Sequence, residues 1–121
     1  MRRDLNLIRE ILLRLEELPM APNPTPRAVE IKGYDGDQIH AHIELLRQAG
    51  YVQPKGPQHP IAWYGADLTS KGHDFLAAAR SREIWRRALT RCDEYGIDPP
   101  LPVLEELLVS LVRLALFPET E

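Results

Sequence analysis

A single cysteine, Cys92, is all the chain contains. No intramolecular disulfide and no multi-cysteine zinc site can form from it, and the lack of cross-links points to a reducing compartment. No secretory leader is visible. Met1-Arg2-Arg3-Asp4 runs into a stretch carrying Arg9, Glu10, Arg14, Glu16 and Glu17, charges that an apolar leader core does not tolerate. No long hydrophobic run is present either. The most apolar stretch, Val103 to Phe117, is interrupted by Glu105, Glu106 and Arg113 and falls short of the ~20 residues of a membrane span. The sequence therefore predicts a cytoplasmic protein with no membrane contact. A basic excess is also missing: net charge is −3 and the pI about 5.8, which counts against a strong nucleic-acid binder but leaves room for a local basic patch. There is no glycine-rich phosphate loop and no HExxH, and no internal repeat.

What remains is an ordinary globular composition, 44% hydrophobic and 27% charged over 121 residues. That length suits one domain with a real core. We expect a single domain over residues 1–121, with its core at about 3–94 and a C-terminal helix at about 102–117. Leu5, Ile8, Leu12 and Leu15 recur at helical steps and predict a first helix from Asp4, a plausible N-cap, to Leu18. Pro19 and Pro22-Asn23-Pro24-Thr25-Pro26 end it. Alternation of Val29 and Ile31 against Glu30 and Lys32 predicts a short strand from Arg27 to Lys32, stopped by Gly33. A second helix from Asp35 to Ala49 buries Ile39, Ile43 and Leu46, with Asp35 or Asp37 as cap and Gly50 at the left-handed closing position.

Tyr51–Gln53 and Ile61–Leu68 then read as the arms of a hairpin around the Pro- and Gly-rich stretch 54–60. A third helix starts at Thr69 or Ser70. The apolar groups Phe75-Leu76-Ala79 and Ile84-Trp85-Ala88-Leu89-Cys92 point in different directions on one straight helix. A break is therefore expected near Ser81, which caps a fourth helix from Arg82 to about Glu94. Gly96 and Asp98-Pro99-Pro100 close that helix, and Pro102 to Pro118 bound a last one. The expected class is α+β, mainly helical, with a winged-helix-like core (helix, short strand, helix, β-hairpin wing, helices) and a hydrophobic C-terminal helix.

Three runs carry a family resemblance: "RRDLNLIREILLRLEE" at the start, "IHAHIELLRQAGYV" (Ile39 to Val52) and "LTSKGHDFLAAARSREIWRRA" after the hairpin. In order and spacing they cover roughly residues 2 to 88. The chain resembles the bacterial and phage-associated family catalogued as domain of unknown function 2513. The Leu-Thr-x-x-Gly-His-x-Phe-Leu run, followed by Arg80 and Trp85, is the most specific part. The resemblance implies a winged-helix-like fold. It implies no established activity and supplies no catalytic residues.

Candidate surfaces follow from this frame. If the second helix buries Ile39, Ile43 and Leu46, its outer face shows Asp37, Ala41, Glu44 and Gln48, with His40 and Arg47 on the flank. Asp37 and Glu44 repel phosphates; His40, Arg47 and Gln48 can meet a major groove. Lys55 and His59 in the wing, with Arg2 and Arg3 at the start, are the further candidate nucleic-acid contacts, against an ordinary solvated loop and terminus. Arg80, Arg82, Arg86, Arg87 and Arg91 form the one dense basic cluster, opposed by Glu83 alone. It suits a phosphate backbone, an acidic partner, or a solvated face with local ion pairs. His40, His42, His59 and His73 have no metal-ligand spacing; His73, beside Phe75, reads as a core hydrogen-bonding group. Carboxylates are scattered and no nucleophile–base grouping is visible, so no enzyme, metal or cofactor is predicted. Cys92 reads as buried and inert. The last helix is apolar over more than half its circumference. That predicts either deep packing or a homodimer through Leu104, Leu107, Leu108, Leu111 and Leu114. Two functions follow: a dimeric regulator that binds duplex DNA through Arg2, Arg3, Lys55 and the second helix's flank, or a protein-interaction adaptor that keeps the fold without the DNA surface.

Overall fold

A computed structural model describes residues 2–17, 30–54 and 66–118 of the chain. The elements are α1 (Leu5–Glu17), α2 (Gly36–Gln48), β1 (Val52–Pro54), β2 (Ala66–Leu68), α3 (Ser70–Ala79), α4 (Arg82–Glu94) and α5 (Leu101–Leu116). The class is α+β and mainly helical, with a two-stranded antiparallel sheet among the described residues. Two compact units are distinguished, Met1–His73 and Asp74–Glu121, the division falling inside α3.

In the first unit α1 lies against α2 and β2. Its core face is Leu7, Ile8, Ile11, Leu12 and Leu15, all buried. Leu5, expected on that face, is only half-buried at its edge, whereas Leu7 and Ile11 complete it. Asp4 caps the helix as expected, its Oδ1 accepting the Leu7 N–H at 3.1 Å. The α2 cap is Asp35, not Asp37. Asp35 Oδ1 accepts the Gln38 N–H at 2.8 Å while Gln38 Oε1 accepts the Asp35 N–H at 3.1 Å, a reciprocal pair that satisfies two otherwise orphaned donors. At the far end Gly50 adopts φ +86. The Gly50 and Tyr51 N–H groups return to the carbonyls of Arg47 and Leu46, the paired closure that a left-handed glycine permits.

The expected strand Arg27–Lys32 is not seen where it can be checked. Residues 27–29 lie outside the described residues, and Glu30–Lys32 form no strand. Ile31 is buried, but its carbonyl accepts the Tyr34 N–H across a turn in which Gly33 takes φ +95. One inward residue beside a left-handed glycine makes a turn; a ladder needs a partner strand. The hairpin is present in register Val52↔Leu68, Gln53↔Asp67 and Pro54↔Ala66. The expected arm residues Ile61–Gly65 and the wing positions 55–60 lie outside the described residues.

The start of α3 is fastened to the end of α2. Thr69 caps α3, its Oγ1 accepting the Gly72 N–H at 3.1 Å while its hydroxyl donates to the Gly50 carbonyl at 2.6 Å. The Thr69 N–H reaches the Tyr51 carbonyl at 3.1 Å. Lys71 Nζ donates to the Ala49 carbonyl at 3.2 Å and sits 4.7 Å from the centre of the buried Tyr51 ring. Gly72 is buried, and a side chain there would overlap the Tyr51 carbonyl.

In the second unit the break falls where the apolar groups change direction. Ser81 caps α4, its Oγ accepting the Ile84 N–H at 3.2 Å. Gly96, at φ +62, closes α4 in the same way as Gly50 closes α2. Helices α4 and α5 pack together. Their buried residues are Ile84, Trp85, Ala88 and Cys92 on one, Leu101, Leu104, Leu108 and Leu111 on the other. Pro102 occupies the second helical position, and Phe117 closes α5.

Candidate functional site

Sequence reasoning overlooked a small polar network in the first unit. His42 falls within the Ile39–Ile43–Leu46 stripe of α2 and is 2% exposed, the one buried polar residue among the described residues. Its Nδ1 lies 2.8 Å from the Gln38 carbonyl, and its Nε2 accepts the Asp4 N–H at 2.9 Å. Those partners assign the neutral ring with its proton on Nδ1. Asp4 in turn accepts the Tyr34 hydroxyl at 3.0 Å on Oδ2. Burial, then that hydrogen bond, then the charges of Asp4 and Glu10 hold the Tyr34 phenol above its ordinary value. The network ties the start of α1 to α2 and to the turn at Gly33. Every polar group in it has a structural task.

The candidate nucleic-acid contacts disperse. Arg2 is exposed and Arg3 half-buried. His40 is half-buried, with Nδ1 enclosed and without a hydrogen-bond partner among the described residues. Arg47 is exposed, but its Nε and a terminal nitrogen both donate to Glu44 Oε2, at 3.1 and 3.0 Å, so its charge is partly answered on its own helix. Asp37 and Gln48 are exposed as expected. Lys55 and His59 lie outside the described residues. His73 is exposed, which corrects its reading as a core hydrogen-bonding group: it faces out one position past Gly72, on the turn that Gly72 presses inward.

The arginine cluster is better gathered. Arg80, Arg82, Arg86, Arg87 and Arg91 are all exposed. On α4, Arg82 and Arg86 run along one side of the outer face and Arg87 and Arg91 along the other, with Glu83 between them. Glu83 pairs with Arg86, and at 3.0 Å with Arg87. Those hydrogen bonds, Arg86 first, hold its carboxyl below the usual range. From Arg82 to Arg91 the four arginines span about 14 Å along the axis and about half of the helix circumference. Three of them stand in the first half of α4, while Asp93 and Glu94 stand in the last turn. Glu83 in the first turn and Arg91 in the last follow the helix macrodipole, while Arg82, Asp93 and Glu94 run against it.

On α5, Leu104, Leu108 and Leu111 are buried within the chain itself, so three of the five residues expected to meet a second copy are already covered. Leu107 is half-buried and Leu114 is 48% exposed. Val103, Val109, Leu116 and Phe117 are the further exposed apolar residues of this helix and its end. Cys92 is buried, and burial, then Asp93 and Asp98, pushes its thiol up. Among the described residues no three His, Cys, Asp or Glu side chains group in a way that could hold a metal, and no helix is long and apolar enough to cross a membrane.

A family model described as "Hypothetical protein (DUF2513)" matches residues 2–98. A protein of Haemophilus influenzae described as "Uncharacterized protein" is 25% identical over 115 residues, covering 93% of this chain and 96% of that protein. No solved structure matches.

Proposed function

The chain belongs to the DUF2513 family, whose description carries no activity, and from its own surfaces we propose a non-enzymatic, winged-helix-like protein that binds duplex DNA through phosphate contacts. The observation that carries this reading is the outer surface of α4, on which Arg82 with Arg86 and Arg87 with Arg91 are exposed as two pairs flanking the acid Glu83. Exposed guanidinium groups on the two flanks of one helix suit an array of phosphates. The order of α2, the β1–β2 hairpin and α3 supports the winged-helix comparison, which is an analogy of fold. Arg2, Arg3, His40, Arg47, Lys55 and His59 are separate candidates on the first unit, of which Arg47 is held by Glu44 and the start of α2 carries Asp37.

A second reading draws support from those same acids. Asp37 and the Glu44–Arg47 pair on the outer face of α2 suit a protein-interaction adaptor, with the α4 arginines taking an acidic protein surface.

Fluorescence anisotropy of a labelled mixed-sequence duplex at low and near-physiological salt separates the two. Phosphate binding weakens steeply as salt rises, and Arg87→Ala and Arg91→Ala each reduce the salt slope by about one. Lys55→Glu and Arg47→Glu report on the wing and α2. Absence of binding at low salt, or affinity indifferent to Arg87→Glu with Arg91→Glu, overturns the DNA reading and leaves the adaptor.

A further inference from the structure

Along α5, Val103, Leu107, Ser110 and Leu114, and after them the cap residue Phe117, follow one another at alternating steps of four and three residues. That spacing sets them in a single seam down one side of a helix. The seam runs about 21 Å and lies beside the stripe that α5 buries within the chain. Val103 is 50%, Leu114 48% and Phe117 58% exposed; Ser110 is exposed and Leu107 half-buried. On the open flank of the seam stand Glu106 and Arg113, one heptad apart and both exposed. Among the described residues neither is in an ion pair.

We propose that α5 pairs antiparallel with α5 of a second copy along this seam, Glu106 of each chain facing Arg113 of the other. Turned end for end, the seam complements itself. Val103 comes opposite Leu114 and Leu107 opposite the small Ser110, so every layer joins a larger to a smaller side chain. Phe117 then reaches the exposed Pro100 at the start of the other helix. In the same register Glu106 meets Arg113 twice, once on each side of the two-fold axis, as an isologous interface requires. A parallel pair lacks both features: Ser110 would face Ser110 in mid-seam. Glu106 would then lie across from Leu111, which is buried in its own chain, and Arg113 across from Pro118, so neither charge would meet an opposite one. The opposite charges in the two halves of one helix thus select a second copy of this chain, in one orientation. The pairing stands apart from the DNA reading and its test uses no DNA.

The test is sedimentation equilibrium of the full chain from about 1 to about 300 μM, because a seam of two heptads is at the small end of specific interfaces and forms at micromolar concentration. The wild type is expected to dimerise and Leu114→Glu to be monomeric. Glu106→Arg or Arg113→Glu alone replaces two attractive pairs by two repulsive ones and weakens the dimer about tenfold. The double variant Glu106→Arg/Arg113→Glu restores it to within about threefold of wild type. Far-UV circular dichroism checks folding; the charge variants lie on exposed positions and decide the matter even if Leu114→Glu unfolds. A wild type that stays monomeric at about 300 μM, or single reversals without effect, or a double variant as weak as the singles, overturns the proposal and gives the seam to a different occupant.

Discussion

Substituting Gly72 by alanine sets two physical effects against each other with opposite signs. Gly72 lies in the first turn of α3, at an ordinary helical φ. Helix propensity alone makes Gly72→Ala stabilising by about 1 kcal/mol. The structure predicts the reverse. An alanine Cβ would lie 3.2 Å from the Tyr51 carbonyl carbon and overlap the carbonyl oxygen, and both belong to backbone that cannot rotate away. The start of α3 must retreat by roughly 1 Å to restore contact distance. That retreat stretches the Thr69 N–H to Tyr51 and Thr69 hydroxyl to Gly50 bonds, at 3.1 and 2.6 Å, each contributing about 0.5–1.5 kcal/mol. It also strains a packed junction at about 1–3 kcal/mol. Set against the propensity gain, the net loss is about 1–5 kcal/mol, a large part of a small domain's stability. Urea unfolding followed by circular dichroism at 222 nm measures it as a fall in midpoint at unchanged m. A neutral or stabilised Gly72→Ala protein would refute the close approach of Gly72 to Tyr51.

Three further outcomes follow from the polar network and the lone thiol. His42→Phe keeps the ring volume but deprives the Asp4 N–H of its acceptor, and should cost about 1–3 kcal/mol in chemical denaturation; a smaller loss would mean that water or a shift of α1 replaces the ring. The Tyr34 phenol is raised in the folded state, so its contribution is complete below the unfolded value near 10 and is lost as pH rises through the folded value. Tyr34→Phe should therefore flatten the decline of stability on the alkaline side, checked by thermal melts from pH 8 to above 10. Cys92, buried with its thiol pushed up, should react with a chromogenic disulfide reagent only slowly in native buffer and at once in denaturant; fast native labelling would contradict its burial.

Much of the helical scaffold can be read in the sequence because caps and periodicity agree there. Asp4, Ser81, Gly50 and Gly96 stand where their local chemistry demands, and the change of apolar direction between Ala79 and Ile84 requires a break. The first helix shows the limit of counting steps. Leu5, Ile8, Leu12 and Leu15 fit a helical stripe, yet the true face is rotated toward Leu7 and Ile11, because the partner elements α2 and β2 decide where its centre lies. The strand expected at Arg27–Lys32 rested on two alternating pairs, too few to outweigh a turn at Gly33. His42 was legible in principle: the steps Ile39, His42, Ile43, Leu46 are those of a buried stripe, and a polar residue inside one announces a hydrogen-bond network. The surfaces were less legible. The α4 arginines cluster already in the sequence, but Glu83 lying between them, and the Glu44–Arg47 pair on α2, depend on side-chain geometry that spacing only suggests. On α5 the residues expected to face a second copy were chosen by hydrophobicity; burial moved three of them inward and left the neighbouring seam outside.

The fastening of α3 to the end of α2 also bears on the hairpin. Thr69, Lys71 and Gly72 hold the foot of β2 against Gly50 and Tyr51, immediately beside the Val52↔Leu68 pair. The register of the two-stranded ladder is therefore set, at its helix end, by contacts outside the strands. A one-residue slip of β2 against β1 would have to break the Thr69 bonds as well as the ladder.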